Sequence, residues 1–413
     1  MKTEETIRQP ELRAKVEDST QQPGPNGKAE ISIREPTRDE KSRIASLGIL
    51  AWAHFLNDGY VNYLPAILPA LLQQLNIPLA LVGSLVLALQ GFGSLLQPIT
   101  GWWADRIGGR RFILIGLTLS TASASLFGLA PNYWLLIALL AMAGLGNAMF
   151  HPQALSSARA TVRSQRHGLL MSMFLIGGEF GRGFWPSVAG LLVVLLGLHS
   201  LWLFALPGLA TLLVLSRLVP AVPPRSPEAH QKGGTIRWVP ALALVAFVGL
   251  RATVSYGVAT FVPLLWHQQG GSLVAGASLI SIMLLVGIVG NISGGMLADW
   301  IGRRPVLLGS SLFSALFLAI FMMVHGPWLW VSLALLGIAS FATAPTTMLI
   351  GQDLFPNNRS MGSGLALGGG NAVGAFVIFG FGFVAASMGL ATPLWCIAAL
   401  SLLGIPLALV LTK

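Results

Sequence analysis

Twelve runs of apolar residues, most of them about twenty or more long, govern what this chain can fold into. They lie near 46–72, 79–101, 112–130, 133–157, 168–196, 200–218, 238–266, 273–298, 305–325, 327–350, 361–387 and 391–411. Each is long enough to cross about 30 Å of hydrocarbon as a helix. Composition agrees: of 413 residues 54% are hydrophobic and only 10% charged, with a mean hydropathy of +0.73. A soluble domain is about one-quarter charged. A soluble multidomain enzyme is therefore excluded, and an all-α integral membrane fold is expected.

The net charge of +10 would suggest nucleic acid on a soluble chain. Its distribution points elsewhere. Residues 1–45 hold nine basic and nine acidic residues and are neutral, while residues 46–413 hold 16 basic and six acidic ones. Arginines and lysines follow the even-numbered apolar runs: Arg106, Arg110 and Arg111; Arg159, Arg163 and Arg166; Arg217, Arg225, Lys232 and Arg237; Arg303 and Arg304; Arg359. The connections at 73–78, 131–132, 197–199, 267–272, 326–327 and 388–390 carry none. Positive charge stays on the cytoplasmic side, so both termini and all even connections are expected there. No nucleic acid is expected as a partner; the bilayer is.

The polar tail 1–45, rich in Gln, Pro, Gly, Lys and Glu, lacks the apolar residues to form a core and is expected to be disordered. The single Cys396 excludes an intramolecular disulfide and a cysteine metal cluster. The histidines are scattered, so no metal site is expected, and no Walker or dinucleotide fingerprint appears, so no cofactor is expected either.

A shift of 194 residues lays GWWADRIGGRR (101–111) over GMLADWIGRRP (295–305), and matches Pro69 to Pro263, Gly93 to Gly287 and Gly168 to Gly362. One constant offset across several helices implies two parallel six-helix pseudo-repeats, 46–218 and 238–413, joined by a cytoplasmic linker, 219–237.

The paired loops Gly101-x-x-x-Asp105-Arg106 and Gly295-x-x-x-Asp299, each running on into arginines, resemble the signature of the major facilitator superfamily. A closer likeness lies in His54-x-x-Asn57-Asp58, Phe150-His151-Pro152, and Arg166-His167-Gly168 leading into GGEFGRGFWP (177–186). These stretches resemble the fosmidomycin-resistance branch of bacterial drug-efflux proteins. The chain departs from that branch at Glu179, where Asn is expected, and at Arg182. The resemblance implies alternating access between two six-helix bundles of the major facilitator fold. It also implies that Asp105 and Asp299, with Arg106, Arg110 and Arg303, cap or pair with a helix of their own half in the outward-facing state.

Charges far from helix ends are costly and generally face a cavity. Asp58, Glu179 and Arg251 lie about 18–20 Å from the cytoplasmic ends of the first, fifth and seventh helices, which forms one polar layer. A guanidinium grips carboxylate or phosphate with a two-pronged hydrogen bond. Arg182 and Arg251, with Asn57 and His151, are therefore candidates for substrate binding. Asp58, Glu179 and His54 are candidates for proton coupling. Each has a plainer reading: Glu179 and Arg182, three apart, can neutralise each other; His54 can be a packing seam; His151 can be satisfied by helix-end carbonyls. Asp58 and Arg251 can meet across the pseudo-two-fold axis.

The expected function is a monomeric inner-membrane transporter, not an enzyme, that exports a small polar or anionic compound at the expense of a proton gradient. Two rivals remain: proton-coupled uptake of an organic anion such as a phosphate ester or carboxylate, and a non-transporting receptor or scaffold.

Overall fold

The computed structural model describes residues 38–161, 167–219, 237–355, 362 and 364–412. Most of the expected tail and linker lies outside the described residues, as do Arg163, Arg166, Arg225, Lys232 and Arg359.

The described residues form helices and no strand. The first crossing is α1 (Arg38–Asn62) continued by α2 (Leu64–Gln74), with a break at Tyr63. The second is α3 (Val82–Val86), a π-turn at Leu87–Gly91, and α4 (Phe92–Ile107). Then follow α5 (Gly109–Ser125), α6 (Tyr133–Thr161), α7 (His167–Leu196) and α8 (Ala205–Leu218). The second repeat holds α9 (Trp238–Gln268), α10 (Leu273–Ile301), α11 (Arg303–Met323), and α12 (Trp328–Phe341) running into α13 (Ala344–Leu354). It closes with a π-turn at Leu365–Gly369 leading into α14 (Gly370–Met388), then α15 (Ala391–Ser401) and α16 (Gly404–Leu411).

Ten of these stretches are long and apolar enough to span a membrane unaided. The first and third crossings fall short for visible reasons. The first carries His54, Asn57 and Asp58 and breaks at Tyr63, and α5 is only 17 residues before a short 3-10 turn. With these two, the structure fits the twelve crossings expected. The first helix also starts eight residues earlier than hydropathy alone placed it, at Arg38.

Residues Ser42–Lys413 form one contact unit in which the two repeats meet. The main contacts between repeats join α7 to α10, and α3 with the following π-turn to α14. The 194-residue shift carries each of these pairs onto the other, so the interface repeats the symmetry of the sequence. On α7 and α10, Ser187 donates to Ser281 at 2.8 Å, and a Cβ at Gly190 would lie 2.7 Å from the Ala277 methyl. With no water to satisfy backbone groups in hydrocarbon, helices approach through small residues and shared hydroxyls.

Glycines set the closest approaches. At Gly337 on α12 a Cβ would stand 2.1 Å from the Met283 carbonyl oxygen of α10, while at Gly380 on α14 it would meet nothing within 4 Å. Gly337→Ala therefore drives the α10–α12 backbones apart and costs about 1–3 kcal/mol. Gly380→Ala, with only helix propensity at stake, is neutral or stabilises by about 1 kcal/mol. Thermal unfolding of the two purified variants in one detergent checks the contrast.

Candidate functional site

α1 places His54 and Asp58 on one helix face, one turn apart, and α6 brings His151 against them. The Nε2 of His151 lies 3.0 Å from Asp58 Oδ1, and the Nε2 of His54 lies 3.5 Å from Asp58 Oδ2. The two imidazole nitrogens are 3.3 Å apart. The outer nitrogens are anchored on backbone: His54 Nδ1 donates to the Phe174 carbonyl at 2.9 Å and His151 Nδ1 to the Asn147 carbonyl at 3.3 Å. A carbonyl can only accept, so both Nδ1 atoms carry a proton, and each Nε2 faces the Asp58 carboxylate either with a lone pair or, on a doubly protonated ring, with an N–H. Phe174 stacks on the His54 ring with centroids 4.5 Å apart, which holds the imidazole flat against α7. The His54 and Asp58 side chains are 7% and 13% exposed, whereas His151 is 32% exposed, so the cluster opens on the His151 side.

Asn57 stands apart from this opening. Expected among the substrate-binding residues, it is instead fully buried between α1, α5 and α6. Its Nδ2 donates to Asn147 Oδ1 at 2.8 Å and its Oδ1 accepts from Ser120 at 2.9 Å. Those bonds use the amide inside the first repeat, and only a long contact of 3.4 Å reaches Asp58.

Glu179 and Arg182 form a direct ion pair along α7, the plainer of the two sequence readings, yet both remain about one-quarter exposed. The Arg182 guanidinium also lies 4.9 Å over the Phe341 ring, reaching from α7 to α12 across the repeats. Arg251 on α9 lies within electrostatic reach of Arg182, Glu179 and Tyr256. No ion pair joins Arg251 to Asp58 among the described residues; Asp58 faces histidines instead. The Nε atoms of Arg182 and Arg251 are buried without a hydrogen-bond partner. Arg251 borders a small, largely apolar cavity whose lining residues include Phe247, Leu250 and Val254 as well as Ser310, Ser314 and Thr343.

At the loop signatures two of the arginines contact a helix of their own half. The Asp105 side chain lies outside the described residues. Asp299 is exposed and makes no ion pair among the described residues, while Arg303 pairs with Asp353 at 2.6 Å and ties α11 to α13. Arg106 lies 3.5 Å over the Trp102 ring, and Arg110 donates to the Ser216 carbonyl of α8. Sequence reading missed Asn147, Ser120, Phe341 and Asp353. Asn147 had a signal, an amide one turn before His151 in an otherwise apolar run. Ser120 had another, because the 194-residue shift lays it on Ser314 just as it lays Asn57 on Arg251.

Comparison with known proteins agrees with this architecture. The sequence model described as Major Facilitator Superfamily matches residues 50–378. The chain is 29% identical over 371 residues to an uncharacterized MFS-type transporter, YfnC, of Bacillus subtilis strain 168, covering 86% of this chain and 90% of that one. It is 27% identical over 345 residues to the fosmidomycin resistance protein of Escherichia coli strain K12, covering 80% and 85%. Among solved structures, a POT family transporter in complex with 5-aminolevulinic acid superposes with a TM-score of 0.74 at 15% identity, over 89% of this chain and 97% of that one.

The buried amide network and the surface ion pair should differ sharply in weight. Asn147→Leu strands the Asn57 amide and costs about 1–3 kcal/mol. Arg303→Ala removes an exposed pair, 43% and 61% open to solvent, and costs less than about 1 kcal/mol. Parallel unfolding curves of the two variants measure the difference.

Proposed function

This chain belongs to the major facilitator superfamily, and we propose that it works as a proton-coupled exporter of a small polar or anionic compound. It is a multi-pass membrane transporter and not an enzyme. Its substrate is a small molecule. In our reading the halves 46–218 and 238–413, joined by 219–237, rock about the site in the inner membrane of a bacterium. Both termini are cytoplasmic in that reading, on the arginine-rich side, and the working unit is a monomer.

The observation that carries the proposal is the cluster of Asp58 with two imidazoles, His54 and His151, open on one side. Imidazole titrates in the range where bacteria maintain a proton gradient. A substrate that offers a hydrogen-bond donor to Asp58 competes with a proton for the same lone pairs. Mutual exclusion of that kind couples outward substrate movement to inward proton movement. Arg251, with no acid within ion-pair distance among the described residues, would hold an anionic end of the substrate. Kinship with proteins named for fosmidomycin resistance and multidrug resistance supports the outward direction.

One observation favours uptake instead. Glu179 occupies Arg182. A proton on Glu179 would free that guanidinium for an anion, so proton and anion would bind together and move inward together. Proteoliposomes with an imposed pH gradient separate the two readings, using phosphonates, sugar phosphates and small carboxylates as substrates. Export by exchange accumulates substrate in an acid lumen, whereas accumulation driven by an acid exterior overturns it. Asp58→Asn should abolish gradient-driven accumulation while leaving counterflow exchange intact. Arg251→Lys keeps the charge but loses the fork, and should weaken binding of an anionic substrate about 10-fold in a direct binding titration.

A further inference from the structure

Two imidazole nitrogens and a carboxylate at close range are held together by positive charge, carried either by protons on the nitrogens or by a metal ion between them. The Nε2 atoms of His54 and His151 are 3.3 Å apart and approach different oxygens of Asp58, His151 at 3.0 Å from Oδ1 and His54 at 3.5 Å from Oδ2. Each proton bridges one pair of atoms, whereas a single metal ion binds both nitrogens and the carboxylate together. A tetrahedral ion with bonds of about 2.0–2.1 Å to nitrogen and oxygen holds its ligands about 3.3–3.4 Å from one another. The cluster is already close to that spacing, and all its ligand atoms fall within 4.8 Å of one another.

We propose that His54 Nε2, His151 Nε2 and the Asp58 carboxylate form a binding site for a divalent transition-metal ion of the zinc, cobalt or nickel class. The surroundings suit a metal. Each histidine donates its other nitrogen to a backbone carbonyl, Phe174 and Asn147, the arrangement that fixes the tautomer and orientation of a metal-bound imidazole. Space beside His54 is kept by glycine: a Cβ at Gly178 would stand 2.4 Å from His54 Nε2. Two imidazoles and one carboxylate suit these ions better than magnesium or calcium, which prefer all-oxygen shells. Three protein ligands leave a fourth position, on the side where His151 is exposed, for water or for an oxygen of a bound compound. Arg182 lies within electrostatic reach of His151, but Glu179 pairs with it, so the neighbouring charge is balanced. The ion would add two positive charges against the single negative charge of Asp58.

A metal ion here takes the same lone pairs that the proposed coupling gives to a proton, so the two compete for the cluster, and the test of the metal site reads binding without transport. The full-length chain, purified in detergent without a histidine tag and stripped with chelator, is titrated with Co²⁺. The expected result is one ion per chain with the visible d–d absorption of low-coordinate cobalt, displaced by Zn²⁺. His54→Gln and His151→Gln should each raise the dissociation constant by more than the roughly 10–100-fold that loss of a supporting hydrogen bond costs. His325→Gln, at an exposed histidine far along the chain, should leave it unchanged. X-ray absorption of the zinc-loaded wild-type protein should show two imidazoles plus oxygen, a readout that needs no variant to fold. Absence of the cobalt band, an absorption spectrum without two imidazoles, or affinity lost with His325 would overturn the proposal.

Discussion

A polar group stranded in hydrocarbon costs several kcal/mol, and the placement of nearly every polar side chain in this molecule follows from that cost. The chain spends few such groups and pairs most of them inside one repeat. Asn57, Ser120 and Asn147 close a network among α1, α5 and α6. Ser314 and Ser340 do the same on α11 and α12, at 3.0 Å. What is left facing an opening is a short list: the Asp58 cluster, the Glu179–Arg182 pair and Arg251. The proposed function is built on those groups because they face an opening and do not merely close a hydrogen bond within one repeat.

The same constraint explains the slender helices. Two helices in lipid gain nothing from hiding leucine from one another, so their contact must come from shape and hydrogen bonds. Gly337 against Met283, Gly374 against Ala252 and Ser187 against Ser281 supply both. The two π-turns, Leu87–Gly91 and Leu365–Gly369, lie on helices that meet across the repeats, where an extra residue per turn re-aims the side chains of an interfacial helix.

Much of this was legible in the residues. Hydropathy marked the crossings because a membrane span needs a fixed length of apolar chain, and only α1 and α5 blurred the pattern. The polar positions His54, Asp58, Glu179, Arg182 and Arg251 stood out because charge is so rare in such segments. Their partners were less visible. Asp58 and Arg251 were drawn together by symmetry of position, but contacts are decided by side-chain direction, and Asp58 meets His151 of α6. Asn57 looked equivalent to its neighbour Asp58, yet one step along a helix turns a side chain by about 100° and sends it into the interior of the bundle. The partner of Arg303, Asp353, could not be read from spacing, because it depends on α13 meeting the start of α11.

The amino-acid sequence alone determined the class of the fold, its internal repeat and the residues too costly to be there by accident. All three follow from quantities counted along the chain: apolar length, a constant offset and isolated charge. Tertiary structure decided which of those residues meet. His54 and His151 are 97 positions apart and no spacing rule relates them, so their convergence on Asp58 exists only once α1 and α6 pack. Two histidines that looked scattered along the chain are, in space, one cluster with Asp58.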